Sequence, residues 1–162
     1  RYQKNENLNF FNLIFLPYEI FNEKIILGEF ENFLKISHQE SLNKLVVKNH
    51  PMMLKSHNHI RIKQQLEKIM ENYKNRFSEK LLDLNLSMFI GPTTGAIVAL
   101  EKKLKTIHIC FNPIFESYSE ELWSMLKVKP LSANTFEYNL KKEGEFILFG
   151  EEKNIFKKYY NN

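Results

Sequence analysis

Two short stretches of this chain carry residues able to handle a phosphate. The first is Asn49-His50-Pro51, a histidine placed directly before a proline. Proline confines its preceding neighbour to extended backbone, so the imidazole projects from the end of whatever comes before it. The second is Gly91-Pro92-Thr93-Thr94-Gly95, two hydroxyls between residues that end a strand and open a helix. Unpaired N–H groups at a helix start carry partial positive charge and attract anions. Thr93 and Thr94 add hydroxyl donors there, and Gly95 leaves room for close approach. Each stretch also has an ordinary explanation: an exposed turn for His50, and a threonine capping its own helix for the pair.

Both stretches follow short apolar segments that read as strands. Leu8 to Leu16 is continuously apolar, as expected of a strand covered on both faces, and Leu45 to Val47, Met88 to Ile90 and Thr106 to Phe111 are similar. Helical periodicity lies between them. Ile26, Phe30, Phe33 and Leu34 share a face within Ile20 to Ile36. Ile62, Leu66, Ile69, Met70, Tyr73 and Phe77 form a stripe over His59 to Phe77. Ala96 to Leu104 has helical composition. Weaker signals mark a strand at Arg76 to Ser78, a helical turn at Leu81 to Leu84 and a helix at Ser119 to Leu126. Extended pieces at Phe136 to Leu140 and Phe146 to Phe149 and a helix at Lys153 to Tyr160 complete the pattern. Strands alternating with helices predict an α/β fold, a Rossmann-like parallel sheet of about five strands with helices on both faces. Ligands of such sheets bind at the carboxyl ends of the strands, near the point where strand order reverses. Tyr18-Glu19, His50, the Thr93-Thr94 pair and Asn112 all follow strands, so they should meet on one rim.

Composition narrows the function classes. A chain of 162 residues, 43% hydrophobic and 26% charged, is a soluble globular domain of ordinary size. Its formal charge of +4 is spread along the chain, which disfavours a nucleic-acid binder. The single Cys110 excludes an internal disulfide and favours a reducing compartment. No apolar run is long enough to span a bilayer. His50, His57 and His59 cluster in sequence, but no cysteine or carboxylate completes a metal-ligand spacing. A Gly-x-Gly-x-x-Gly motif and a Walker-type loop are both missing, which argues against a dinucleotide oxidoreductase or an NTPase. His108, alternating with apolar neighbours on its strand, reads as structural.

Taken together, Lys44-Leu45-Val46-Val47-Lys48-Asn49-His50-Pro51 and Phe89-Ile90-Gly91-Pro92-Thr93-Thr94-Gly95-Ala96 resemble the donor-nucleotide half of bacterial glycosyltransferases of GT-B architecture. The likeness is to sialyltransferases and related capsule or lipooligosaccharide enzymes that use CMP-activated sugars. Those families carry an HP motif and a downstream hydroxyl pair, both of which contact the donor phosphate. The resemblance spans about Leu8 to Cys110. It departs in having Thr-Thr for the commoner Ser-Ser or Ser-Thr, and in lacking the acidic motif of the other, N-terminal domain. The resemblance implies a nucleotide-sugar-binding domain over residues 1–126 with a C-terminal extension, residues 127–162, packed on it. It also implies His50 as the catalytic residue, and His50, Thr93, Thr94 and Gly95 as the phosphate site. Glu19, Asn112, Glu116 and Tyr118 become the nearest candidates for the rest of the nucleotide. The transferase would be metal-independent and cytoplasmic or at the inner face of the membrane, with peripheral membrane contact allowed. Its partners would be a nucleotide-sugar donor, a glycan acceptor and an N-terminal GT-B domain or second polypeptide. The chain begins with Arg1, which fits a piece of something longer, and an apolar patch near the site is expected where the other half would sit. The alternatives are a UDP- or CDP-donor relative and a noncatalytic α/β interaction module such as a receiver-like domain; against a receiver, the strand ends lack clustered aspartates.

Overall fold

The structure, a computed structural model, describes residues 12–36, 45–73, 86–93, 95–111 and 126–140. In chain order these form β1 (Leu13–Phe15), α1 (Glu23–Ile36), β2 (Val46–Lys48) and α2 (His57–Tyr73). They continue with β3 (Leu86–Ile90), α3 (Gly95–Glu101), β4 (Lys105–Ile109), β5 (Leu126–Pro130) and β6 (Thr135–Leu140). The elements expected at Arg76 to Ser78, Leu81 to Leu84, Phe146 to Phe149 and Lys153 to Tyr160 lie outside the described residues, as does the helix expected at Ser119 to Leu126 except for Leu126, which opens β5.

The strands make one sheet in the order β2-β1-β3-β4-β6-β5. The first four are mutually parallel, with Ile14 opposite Val47 on one side and Met88 on the other. β6 then runs antiparallel to β4, and β5 antiparallel to β6. The sheet is therefore mixed and six-stranded, where the sequence predicts a parallel sheet of about five. The added strands are a hairpin. It begins at Leu126 and continues the sheet into the expected C-terminal extension, where Phe136 to Leu140 forms most of β6. Glu29 of α1 anchors the hairpin turn by accepting hydrogen bonds from Ser132, from Thr135 Oγ1 at 2.9 Å and from Asn134 Nδ2 at 3.4 Å. The outer strand β5 exposes Lys127, Lys129 and Pro130, residues that discourage pairing with another sheet.

Side chains alternate across a strand, and here the alternation sorts the core into two layers. Ile14, Leu86, Met88, Ile90, Ile107 and Ile109 face α1 and α2. From α1 that layer receives Ile26, Phe30, Phe33 and Leu34, the four positions its periodicity selects; from α2 it receives Ile62, Leu66 and Tyr73. On the other face Phe89, Leu126, Phe136 and Tyr138 pack against Ala96, Ala99 and Leu100 of α3. Helices thus cover both faces, and the outline is that of a generic Rossmann-like α/β domain.

Gly95 sets how closely α3 meets the sheet. A Cβ at this position would stand 2.8 Å from Cε1 of Phe89, a fully buried ring stacked on Phe15 with centroids 5.0 Å apart. Gly95→Ala is therefore expected to destabilise the fold by about 1–2 kcal/mol in a urea titration. Overpacking costs about 1–3 kcal/mol and the better helix propensity of alanine offsets up to about 1.

Candidate functional site

Chain order reverses at β1, which has β2 on one side and β3 on the other. The carboxyl ends of these strands form the crevice in which α/β sheets hold ligands. Three segments surround it: Pro17-Tyr18-Glu19 after β1, Asn49-His50-Pro51 after β2, and Gly91-Pro92-Thr93 after β3. With neighbouring strands about 4.8 Å apart, the ends of β2 and β3 stand about 10 Å from each other. Contacts bridge that distance. The Tyr18 ring meets the His50 ring edge-on at 5.5 Å, and a Cβ on Gly91 would lie 3.2 Å from Cγ of Pro17.

His50 is half-buried and held in one tautomer. Pro51 opens a single 3₁₀ turn, Pro51–Met53, and His50 caps it, with the Met52 backbone N–H donating to Nδ1 at 3.2 Å. An N–H can only donate, so Nδ1 keeps its lone pair and Nε2 carries the proton. Thr93 is held in the same way. Its Oγ1 accepts the Gly95 N–H at 3.2 Å, capping α3. A hydroxyl that accepts still has its own proton to donate. Each of the two side chains is thus oriented by a backbone N–H and retains one donor, and neither donor has a partner among the described residues. The Gly95 amide, expected to bind phosphate, is engaged by Thr93 instead.

The remaining sequence-predicted residues divide plainly. Glu19 lies exposed on the rim, one residue past Tyr18. Thr94, Asn112, Glu116 and Tyr118 lie outside the described residues. Among the described residues no group of three or more His, Cys, Asp or Glu side chains is placed to hold a metal ion. Cys110 is buried just beyond β4, its N–H donating to Asn134 O.

Two side chains at the rim, Asn49 and His59, escape sequence reasoning, and a third, His108, is structural as its strand alternation predicts. Asn49 Oδ1, beside His50, is a buried acceptor without a hydrogen-bond partner among the described residues. His59 is 2% exposed, with Nε2 on the Pro17 carbonyl at 2.9 Å and Nδ1 on Ser56 Oγ at 3.1 Å. Its place three before Ile62 and seven before Leu66 puts it on the buried stripe of α2, a signal that was there to be read. His108 is fully buried, with Nε2 on the Gly91 carbonyl at 2.8 Å and Nδ1 on the Tyr138 hydroxyl at 2.5 Å. Burial pulls its pKa down from 6.5 to about 4, against the opposing pull of the Gly91 carbonyl. It is neutral near pH 7 and donates through Nε2.

Large apolar side chains are exposed along the same rim. Tyr18 and Phe21 lie on the loop after β1, Met52 and Leu54 on the loop after β2, and Phe111 beyond β4. The first two loops meet at the Tyr18–His50 contact, and beyond them Arg61 of α2 pairs with Glu23 of α1 at 2.5 Å. None of the helices among the described residues is long and apolar enough to cross a membrane. Comparison with known proteins finds no family model, no curated protein and no solved structure that the chain matches.

Proposed function

We propose that this rim binds the phosphate of a nucleotide-linked sugar, and that the chain is the donor-binding domain of a glycosyltransferase using a CMP-linked donor. One observation carries the proposal: His50 Nε2–H and the Thr93 hydroxyl are two donors, each fixed by a backbone N–H, on loops flanking the switch point. Donors fixed in advance stabilise charge developing on a phosphate oxygen without reorganising during the reaction. Thr94 would add a third. The exposed apolar side chains on the rim fit a face closed over by another domain or polypeptide carrying the acceptor and the general base.

The tautomer of His50 refines its role. An imidazole with an unprotonated Nδ1 donates a hydrogen bond through Nε2, not the proton itself, because losing that proton would leave an imidazolate. A departing CMP needs no more than this. Its phosphate has a second pKa of about 6, so it leaves as a stable anion near neutral pH. His50 is thus an electrostatic stabiliser of the leaving group, and proton transfer to that group is unnecessary.

Calorimetric titration with CMP, UMP and cytidine tests the proposal. His50→Ala should weaken CMP binding by about 1.5–3 kcal/mol, the range for a hydrogen bond to a charged group. His50→Asn keeps an acceptor able to cap the Met52 N–H but loses the Nε2 proton, so it should lose nearly as much. Cytidine should bind both variants as it binds the wild type. Equal losses for CMP and cytidine would show that His50 does not read phosphate. No binding of any of the three would fit an interaction module, and tighter UMP than CMP would identify a different base.

A further inference from the structure

The geometry points to His59 and His108 as a matched pair of positioning residues that hold the two ligand-facing loops from opposite faces of the sheet. The inference rests on the rim being the ligand site, and it concerns residues that touch no ligand. Pro17 and Gly91 each lie just past the end of a strand, where the ladder no longer supplies donors. A buried carbonyl in that position needs a partner or carries an unsatisfied acceptor. Each receives one from a buried imidazole: His59 Nε2 on Pro17 O at 2.9 Å, and His108 Nε2 on Gly91 O at 2.8 Å.

The two arrangements share a design although they come from unrelated elements. In both, a hydroxyl partners Nδ1 and leaves Nε2 to the carbonyl: Ser56 for His59 and Tyr138 for His108. His59 stands on α2, over one face of the sheet. His108 stands on β4 between Ile107 and Ile109, so it faces the layer on the α3 side. The carbonyls they hold belong to residues that meet each other, with a Gly91 Cβ position 3.2 Å from Pro17 Cγ. Beyond Pro17 the chain places Tyr18 against His50, and beyond Gly91 it reaches Thr93. The imidazoles therefore act on both candidate donors through the backbone. A leucine at either position would fill space but leave the carbonyl unheld. Glutamine offers an N–H at similar reach.

The test compares His108→Gln with His108→Phe, and His59→Gln with His59→Phe, in the full chain. Amide hydrogen exchange and CMP titration are the two readouts. His108→Phe should raise exchange at Gly91, whose amide is held by Ile109 O, at least tenfold while the β1 and β3 core amides stay protected. His59→Phe should do the same at Leu16 and Met52, whose amides are held by Lys48 O and His50 Nδ1. Both phenylalanine variants should weaken CMP binding several-fold, and both glutamine variants should recover most of each loss. The inference is overturned if exchange rises uniformly through the sheet, if the rim amides do not respond, or if glutamine does no better than phenylalanine. Should the wild type fail to bind CMP, the proposed function falls, while the exchange pattern still decides whether the histidines position these loops.

Discussion

Acidification from pH 7.5 to 4 should cost this fold about 3 kcal/mol through His108 alone. The imidazole is fully buried between the Tyr138 hydroxyl and the Gly91 carbonyl, and burial lowers its pKa from 6.5 to about 4. The unfolded chain therefore binds more protons than the native chain between those two values. Stability must fall as pH drops through 6.5, continue falling to about 4, and owe nothing further to this group below that. Above 6.5 the contribution is constant. A difference of about 2.5 pKa units corresponds to about 3 kcal/mol, a large share of what a single domain has to lose. Urea titrations of wild type and His108→Gln at half-unit intervals would isolate the imidazole from the carboxylates. The glutamine variant should lose the slope between pH 4 and 6.5 and keep any that lies lower. Parallel profiles for the two proteins would contradict the assignment.

Gly91→Ala should be the most damaging single methyl group added to the rim, at about 2–4 kcal/mol. Gly91 has φ +64°, in the left-handed region, where a Cβ costs about 1–2 kcal/mol. The added atom would also stand 3.2 Å from Cγ and 3.4 Å from Cβ of Pro17. That neighbour cannot give way, because a proline ring is rigid and its carbonyl is held by His59. The turn has no other freedom either: the Gly91 N–H donates to Ile109 O at 2.9 Å and its carbonyl accepts from His108. Gly28 supplies the control. It lies within α1 with nothing within 4 Å of a Cβ position, so Gly28→Ala should stabilise by up to about 1 kcal/mol. Opposite signs for the two substitutions are the expected outcome, read as midpoints of chemical denaturation. A mild effect at Gly91 would mean that the rim is looser than its hydrogen bonds require.

The parts legible in the sequence were those governed by local periodicity. The stripe of α1 is a clean 3.6-residue pattern, and all four of its predicted positions are buried. Strand ends marked by Asn49-His50-Pro51 and Gly91-Pro92 were legible because proline and glycine act on their immediate neighbours. Of the β5–β6 hairpin, the extended piece at Phe136 to Leu140 was legible and is β6, but β5 was not. Lys127 and Lys129 make β5 look solvated, and only pairing with β6 shows that they blunt the sheet edge. His108 is structural as read, but the bonds that His59 and His108 make escaped for a different reason. Their partners, the carbonyls of Pro17 and Gly91, are 42 and 17 residues away, and no local pattern reports a bond over that distance. Thr93 had two readings, phosphate donor and helix cap, and the geometry makes the cap compatible with donation.

The central claim is that His50 offers an Nε2 proton to a phosphate at this rim, and imidazole nitrogen NMR measures it directly. Long-range proton–nitrogen spectra of the free protein should show His50 with Nδ1 unprotonated and Nε2 protonated, as the Met52 N–H requires. Saturating CMP should move the Nε2 resonance and its proton downfield, and cytidine should leave both in place. A His50 that is protonated at Nδ1 in the free protein, or whose Nε2 ignores CMP, or which responds alike to CMP and cytidine, would contradict the account.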